Sequence, residues 1–501
     1  MIAAQLARGS MWVSASRGLV NLFGLVSTIA LARLLVPADF GLVAIAITML
    51  AILSAITNLS LAEALVQHKA PTPEHYHTAW SLGVLRGAVI GGLFALSAHA
   101  AARFYDDPRL EAVMYVLSFS VFLSGLTNPR IVVLQRSLVF WQDFVLEVSQ
   151  KLVAVGVSIT LAILFRNYWA LVFGTVAGQL VTLILSYTIL PFRPRISLRH
   201  VRELWSFSIW LTLGQLVSTI NWRFDQLLIG KFLGRTALGI YTVGDNLAQL
   251  PTRESTQPLT RTLFPAFAKL NDDPDRQRRG FQRAQSTITA VALPLGVGVA
   301  LVADPMVRLV LGERWLAAIG VIQALASIFA LHTLGGLAQP LGMARGETRT
   351  LFNRDLQLFF IRLPFICAGM FLWGLNGVVA ARVLTGLIGL GFDMGLIRRF
   401  LGLSYLAQLR ANLRTFAAVI VMCGGVLILR HTLTLGHDSG ALALRLAIEG
   451  GAGAILYAGS RLLIWRARGR PDGPETELAR LVAAGVAKIV HRRRGGPASA
   501  A

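Results

Sequence analysis

The amino-acid sequence predicts an all-α, polytopic membrane protein with about fourteen transmembrane helices. Three observations carry that expectation. Of its 501 residues, 55% are hydrophobic, and the mean hydropathy is +0.62. Only 14% are charged, against about 25% in soluble domains, too few to cover a soluble surface of this size. Apolar stretches of about 20 residues, the length that crosses a hydrocarbon core, recur along most of the chain. This composition excludes a soluble enzyme, a disordered chain and a fibrous protein. The net charge is nevertheless +22. It does not indicate nucleic acid, because no basic polar domain is present to hold one.

The expected spans are 12–35, 40–65, 78–103, 110–134, 143–165, 168–190, 205–230, 236–260, 284–311, 316–341, 355–375, 376–397, 411–432 and 441–464. Breaks such as "LLVPADFG" and "FRNYW" leave room only for tight helical hairpins. The first span keeps Arg17 and Asn21 and lacks a small-residue cleavage site, so it reads as a retained helix rather than a signal peptide. Cys367 and Cys423 lie in apolar runs with neither disulfide nor metal spacing. Lys and Arg concentrate in alternate connecting segments by about three to one, which puts both termini in the cytoplasm. The polybasic stretch from Arg466 to Arg494 reinforces that orientation and is suited to anionic lipid.

An internal repeat is one reading of the spans. "ARLLVPADFGL" at 32–42 aligns with "GKFLGRTALGI" at 230–240, an offset of 198 that matches Arg33 to Lys231 and Gly41 to Gly239. "ILFRNYWALVFG" and "GMFLWGLNGVVA" align at an offset near 206. Six helices per repeat would put both halves in the same orientation, related by an axis along the membrane normal. The expected division is an N-terminal lobe at 1–202, a C-terminal lobe at 203–402, two further helices at 403–465 and a basic tail at 466–501.

Ionisable residues within apolar spans cost about 2.5–3.5 kcal/mol each at the bilayer centre, so they mark cavities or internal pairs. Arg17, Arg86, Arg223, Arg253, Arg362 and Arg382 are the candidate substrate-binding cations, and Asp225 and Asp245 the candidate coupling or pairing carboxylates. Arg17, Asn21, Gly24 and Thr28 form one polar helical stripe, and Gln215, Thr219, Arg223 and Gln226 a second. Pro251 and Pro258 interrupt the eighth span. Together these features describe a cationic chamber for an anionic group such as a phosphate. Structural alternatives stay open at each position: Arg17 within snorkelling reach of the interface, Arg223 and Asp225 as separate locks, Arg253 and Glu254 at a rim, Asp393 and Glu449 as internal pairs. His68, His75 and His77 read as a solvated loop rather than a metal site, and Asp106-Asp107 as helix N-terminal charge. Neither a metal nor a cofactor is expected, and no glycine loop for ATP is present.

Several stretches resemble bacterial lipid-linked oligosaccharide flippases of the polysaccharide transporter family. That family shares a superfamily with multidrug and toxin extruders and lipid II flippases. The likeness runs over about residues 10–400 through "ARLLVPADFGLVAIA", "LQRSLVFWQDFVLEVSQKLVAVGVSITLAIL", "NYWALVFGTVAGQLV", "NWRFDQLLIGKFLGRTALGIYTVGDNLAQLP" and "LFPAFAKL". The resemblance implies two pseudo-symmetric six-helix lobes in alternating access, with the two C-terminal helices as additions. It implies a cationic cavity for an undecaprenyl-diphosphate-linked repeat unit, in which Arg17, Arg223, Asp225 and Arg253 hold charged positions. It further implies the bacterial inner membrane, exopolysaccharide or lipopolysaccharide biosynthesis, and a polymerase and export machinery as partners. Two rival readings remain: a multidrug or lipid extruder, which expects an acidic cavity, and a membrane polymerase or glycosyltransferase, which expects a long outer loop.

Overall fold

Short polar breaks decide where the helices end. At "LLVPADF" the first helix stops at Leu34 and the second opens on Pro37, whose missing N–H costs nothing at a first helical position. The Asp39 carboxylate accepts from the Val36 N–H at 3.4 Å and lies in the first turn, where the helix dipole favours an anion. Asp438 and Asp273 start later helices by accepting from Ala441 N and Arg276 N.

The computed structural model describes residues 2–56, 65, 71–136, 141–201, 209–432, 436 and 438–469. Expected features at His68 and residues 470–501 of the basic tail lie outside the described residues. The principal helices are α1 (Ile2–Leu34), α2 (Pro37–Ile56), α3 (Pro73–Tyr105), α4 (Arg109–Gly125), α5 (Trp141–Phe165), α6 (Trp169–Ile189) and α7 (Ile209–Phe232). They continue as α8 (Gly234–Lys269), α9 (Pro274–Leu301), α10 (Ala318–His332), α11 (Thr348–Leu401), α12 (Leu413–Thr432) and α13 (Ser439–Ala467). No strand occurs among the described residues. Nine of these helices are long and apolar enough to cross a membrane. The protein is an all-α, multi-pass membrane protein.

Among the described residues helix lies within each of the fourteen expected positions, while nine helices, not fourteen, meet the length and apolarity of a span. Two details differ from expectation. The eleventh and twelfth spans share α11, which breaks at Trp373 and Gly374, where Gly374 takes φ 56°. In contrast, α8 runs through Pro251 and Pro258 without interruption. Each proline removes one helical hydrogen bond, and the Ser255 hydroxyl donates to the Pro251 carbonyl at 2.6 Å.

The chain forms two compact units. The first comprises Met1–Gly244, Val310–Ala318 and Asp355–Val378. Within it small residues bring helices close together. Gly83, Gly87 and Gly91 of α3 lie against the α4 backbone near Gly125 and Ser118, and Gly174 and Gly178 of α6 lie against α5 at Ala154 and Ser158. Such spacing replaces the hydrophobic drive that helix pairs lack in lipid. Leu31 and Leu35 pack on Ala162 and Ala170. Leu85, Leu93, Leu96, Ile163 and Leu164 stay exposed, as suits a lipid-facing surface.

The second unit comprises Asp245–Leu309, Ile319–Arg354 and Val379–Ala501. Its core joins Phe267, Phe281, Leu337, Ile397 and Leu403. Polar side chains fasten the last two helices. Glu449, almost fully buried, meets Arg445 at 2.7 Å and Arg430 at 3.4 Å, while Arg445 also reaches Asp304. Arg461 takes Thr415 and Tyr457, and the Tyr457 hydroxyl donates to the Ala290 carbonyl.

Candidate functional site

In α7 the polar stripe separates into two faces. Ser218, Thr219, Trp222 and Arg223 share one, because residues three and four apart are neighbours on a helix. These four line a cavity of ≈390 Å³ with Ala51, Ser54 and Ala55 of α2 and Arg86 of α3. Arg86 Nη2 donates to the Ser54 carbonyl at 3.4 Å, and its Nε is buried without a hydrogen-bond partner. Arg223 Nη1 donates to Gln226 Oε1 at 3.3 Å. The same oxygen accepts from the Thr48 hydroxyl at 2.6 Å, so α2 fixes the amide that holds Arg223. Neither arginine makes an ion pair with a described residue. The cavity therefore presents two guanidinium groups whose charge no described carboxylate meets, beside an indole that is 47% exposed.

Asn221 and Asp225 occupy the other face and are buried. Arg362 Nη1 donates to the Asn221 carbonyl at 2.9 Å and to its side-chain oxygen at 3.2 Å. Its guanidinium stands 5.5 Å from the centre of the Trp222 ring, a cation–π distance. Asp225 accepts from the Tyr241 hydroxyl at 2.5 Å and from the Gln226 N–H at 2.9 Å. Arg223 and Asp225 thus serve separate partners.

The first unit therefore brings Arg86 and Arg223 together, with Arg362 behind Trp222. Arg17 lies half-buried on α1 of the same unit. Its stripe meets α5 at Gly24, where the Lys151 ammonium stands 3.6 Å from the position a Cβ would take. Lys151 makes no hydrogen bond or ion pair with a described residue. It is a candidate cation that sequence reasoning passed over. Its place within an apolar span was the available signal.

Arg253 and Arg382 belong to the second unit. Buried Arg382 meets Asp245 at 3.5 Å, and Asp245 also accepts from Gln249 at 3.1 Å. Arg253, half-exposed, meets Glu254 at 3.2 Å. Asp393 takes Arg354 at 2.6 Å, an internal pair as its alternative reading held.

Two loop expectations are revised. His75 is buried, hydrogen-bonds Thr72 and stacks on His200 at 3.8 Å, because it closes the N-terminal capping box of α3 rather than standing in solvent. No group of metal-ligating side chains exists among the described residues. Asp107 does accept from the Arg109 N–H at a helix start. It also pairs with the Arg235 guanidinium, while Asp106 takes Lys231 at 2.9 Å.

Known proteins bear on this arrangement. A family described as "Polysaccharide biosynthesis protein" matches residues 30–320, more than half of the chain. The lipopolysaccharide biosynthesis protein WzxC of Escherichia coli (strain K12) is 26% identical over 407 residues, covering 79% of this chain and 82% of that one. The teichuronic acid biosynthesis protein TuaB of Bacillus subtilis (strain 168) is 24% identical over 462 residues, covering 91% and 95%. Among solved structures, the lipid II flippase MurJ in an inward closed conformation superposes with a TM-score of 0.73 at 13% identity, over 91% of this chain and 98% of that chain. That likeness shows the fold. By the match over residues 30–320, the chain belongs to the polysaccharide biosynthesis protein family.

Proposed function

We propose that the protein is a flippase. It moves undecaprenyl-diphosphate-linked oligosaccharide repeat units across the bacterial inner membrane for exopolysaccharide or lipopolysaccharide synthesis. The observation that carries this reading is the pair of guanidinium groups, Arg86 and Arg223, that share one cavity in which no described carboxylate pairs with either. A diphosphate supplies the missing anion, and arginine suits it through paired N–H donors. The names of WzxC and TuaB, in cell-surface polysaccharide synthesis, and of MurJ, a lipid II flippase, favour the same cargo class.

In this reading Arg86 and Arg223 grip the diphosphate and Trp222 lies beside the first sugar. Arg17, Arg253, Arg362 and Arg382 complete the cationic set with secondary weight, since Arg253 and Arg382 meet carboxylates and Arg362 meets Asn221. The two six-helix lobes, 1–202 and 203–402, rock to expose the cavity to each side in turn. Both termini lie in the cytoplasm, the protein breaks no covalent bond, and it hands cargo to a polymerase and export machinery. The test is export in a strain carrying the gene as its only copy. Arg86→Ala and Arg223→Ala should abolish surface polymer and accumulate lipid-linked oligosaccharide while inserting normally. Wild-type polymer from both variants would overturn the assignment.

A further inference from the structure

The second unit turns one short segment inside out. After α11 ends at Leu401, Gly402 takes φ 65°, and Ser404 opens a six-residue helix, Tyr405–Arg410, by accepting from the Ala407 N–H. The amides of this segment face the protein. Gln408 is buried and donates through Nε2 to the Met394 and Leu403 carbonyls, both at 3.0 Å. Asn412, also buried, donates to the Gln408 carbonyl at 3.1 Å. Tyr405, Leu406, Leu409 and Leu413 face outward, with Leu406 55% exposed. A helix lying on a protein in water shows the reverse pattern. Amides inward and leucines outward suit a segment bounded by lipid at the membrane interface.

Arginines gather at the same end. Arg398 and Arg399 occupy the last turn of α11, where the Arg398 guanidinium stands 5.7 Å from the centre of the Tyr405 ring. Arg410 ends the short helix, and Arg414 lies in the first turn of α12. Arg461 of α13 reaches that turn, donating through Nη1 to the Thr415 hydroxyl at 2.9 Å. It is buried, about 9 Å along α13 from the end of the helix at Ala467.

The neighbouring sequence supplies no acid to match these cations. No Asp or Glu occurs from 394 to 437 or from 450 to 471. Asp393 takes Arg354, and Glu449 stands about 18 Å along α13 from Arg461. A topology signal requires only cations in loops. It does not require an arginine buried in a span, where charge is costly, or leucines turned outward beside it. Both features suit a lipid whose acyl chains cover the leucines while the guanidinium groups hold its phosphate.

We propose that this junction binds an anionic phospholipid of the leaflet at that end of the helices, with Arg410, Arg414 and Arg461 on its phosphate. In the orientation proposed above, that leaflet is the cytoplasmic one. The cavity of Arg86 and Arg223 belongs to the first unit, and the lipid site does not rest on its cargo. Native mass spectrometry of the full chain tests the site by titration with dioleoyl-phosphatidylglycerol and, separately, dioleoyl-phosphatidylcholine. The two share acyl chains and differ in charge. The wild type should favour phosphatidylglycerol by about twentyfold or more. Each arginine near an anionic lipid is worth about fivefold in affinity. Arg410→Gln, at an exposed position, should therefore bind phosphatidylglycerol about fivefold less tightly. Arg410→Gln/Arg414→Gln should lose about twenty-fivefold, with phosphatidylcholine binding and the unfolding temperature unchanged. Arg86→Ala/Arg223→Ala should keep the preference. Equal affinity of the wild type for the two lipids would overturn the site. So would a preference undiminished in both Arg410 variants, or one lost only in the Arg86/Arg223 variant, which would assign the phosphate to the cavity.

Discussion

Arg86 of α3 and Arg223 of α7 line one cavity of the first unit, and no described carboxylate pairs with either. Two such cations in an apolar bundle are costly unless something anionic visits them.

Gln226 holds Arg223 in place while Thr48 holds Gln226. Gln226→Leu should lower polymer export several-fold. It should also destabilise the protein by about 1 kcal/mol, the net worth of an ordinary buried hydrogen bond. Export and detergent thermal unfolding measured on the same variant check this. Unaltered export would show that Arg223 needs no such support.

Lys151 is a half-buried ammonium over Gly24 with no described partner. Lys151→Met should leave thermal stability equal or higher, because a poorly solvated charge is removed. Export should fall if the ammonium meets cargo along the α1 stripe. A variant that loses stability instead would assign Lys151 to the fold.

Arg382 and Asp245 form a buried pair in the second unit. Removing one partner strands the other, at a cost of about 3–5 kcal/mol. Arg382→Leu should therefore lower the unfolding temperature more than the double variant Arg382→Leu/Asp245→Leu does. Equal losses in single and double variants would show that the two charges do not support each other.

Asp225, buried and accepting from the Tyr241 hydroxyl, is with Asp245 one of the two candidate coupling carboxylates. Export by the wild type should stop when the proton gradient is collapsed, and Asp225→Asn should insert but not export. Full export after collapse would remove proton coupling from the account.

Much of the fold was legible in the sequence because a spanning helix needs only length and apolarity. The described residues are helical within each expected position, nine helices reach the length and apolarity of a span, and Thr219 and Arg223 share a face as their spacing required. The prolines of α8 misled, since each removes only the one hydrogen bond to the carbonyl four residues before it and the helix carries on through both. Less legible was which buried charges pair. Arg382 with Asp245, and Asp107 with Arg235, come from distant parts of the chain, so only packing decides them. The convergence of Arg86 on Arg223 is of the same kind. Helical periodicity gives the face of one helix, not the neighbour that the face meets.

The central claim is that Arg86 and Arg223 receive a lipid-linked diphosphate and allow it to cross. Proteoliposomes containing the full chain and undecaprenyl-diphosphate-linked oligosaccharide test it most directly, with the leaflet of the sugar read by a membrane-impermeant enzyme. The account predicts rapid exchange between leaflets for the wild type and none above empty liposomes for Arg86→Ala or Arg223→Ala. Equal exchange in the wild type and both variants would contradict it.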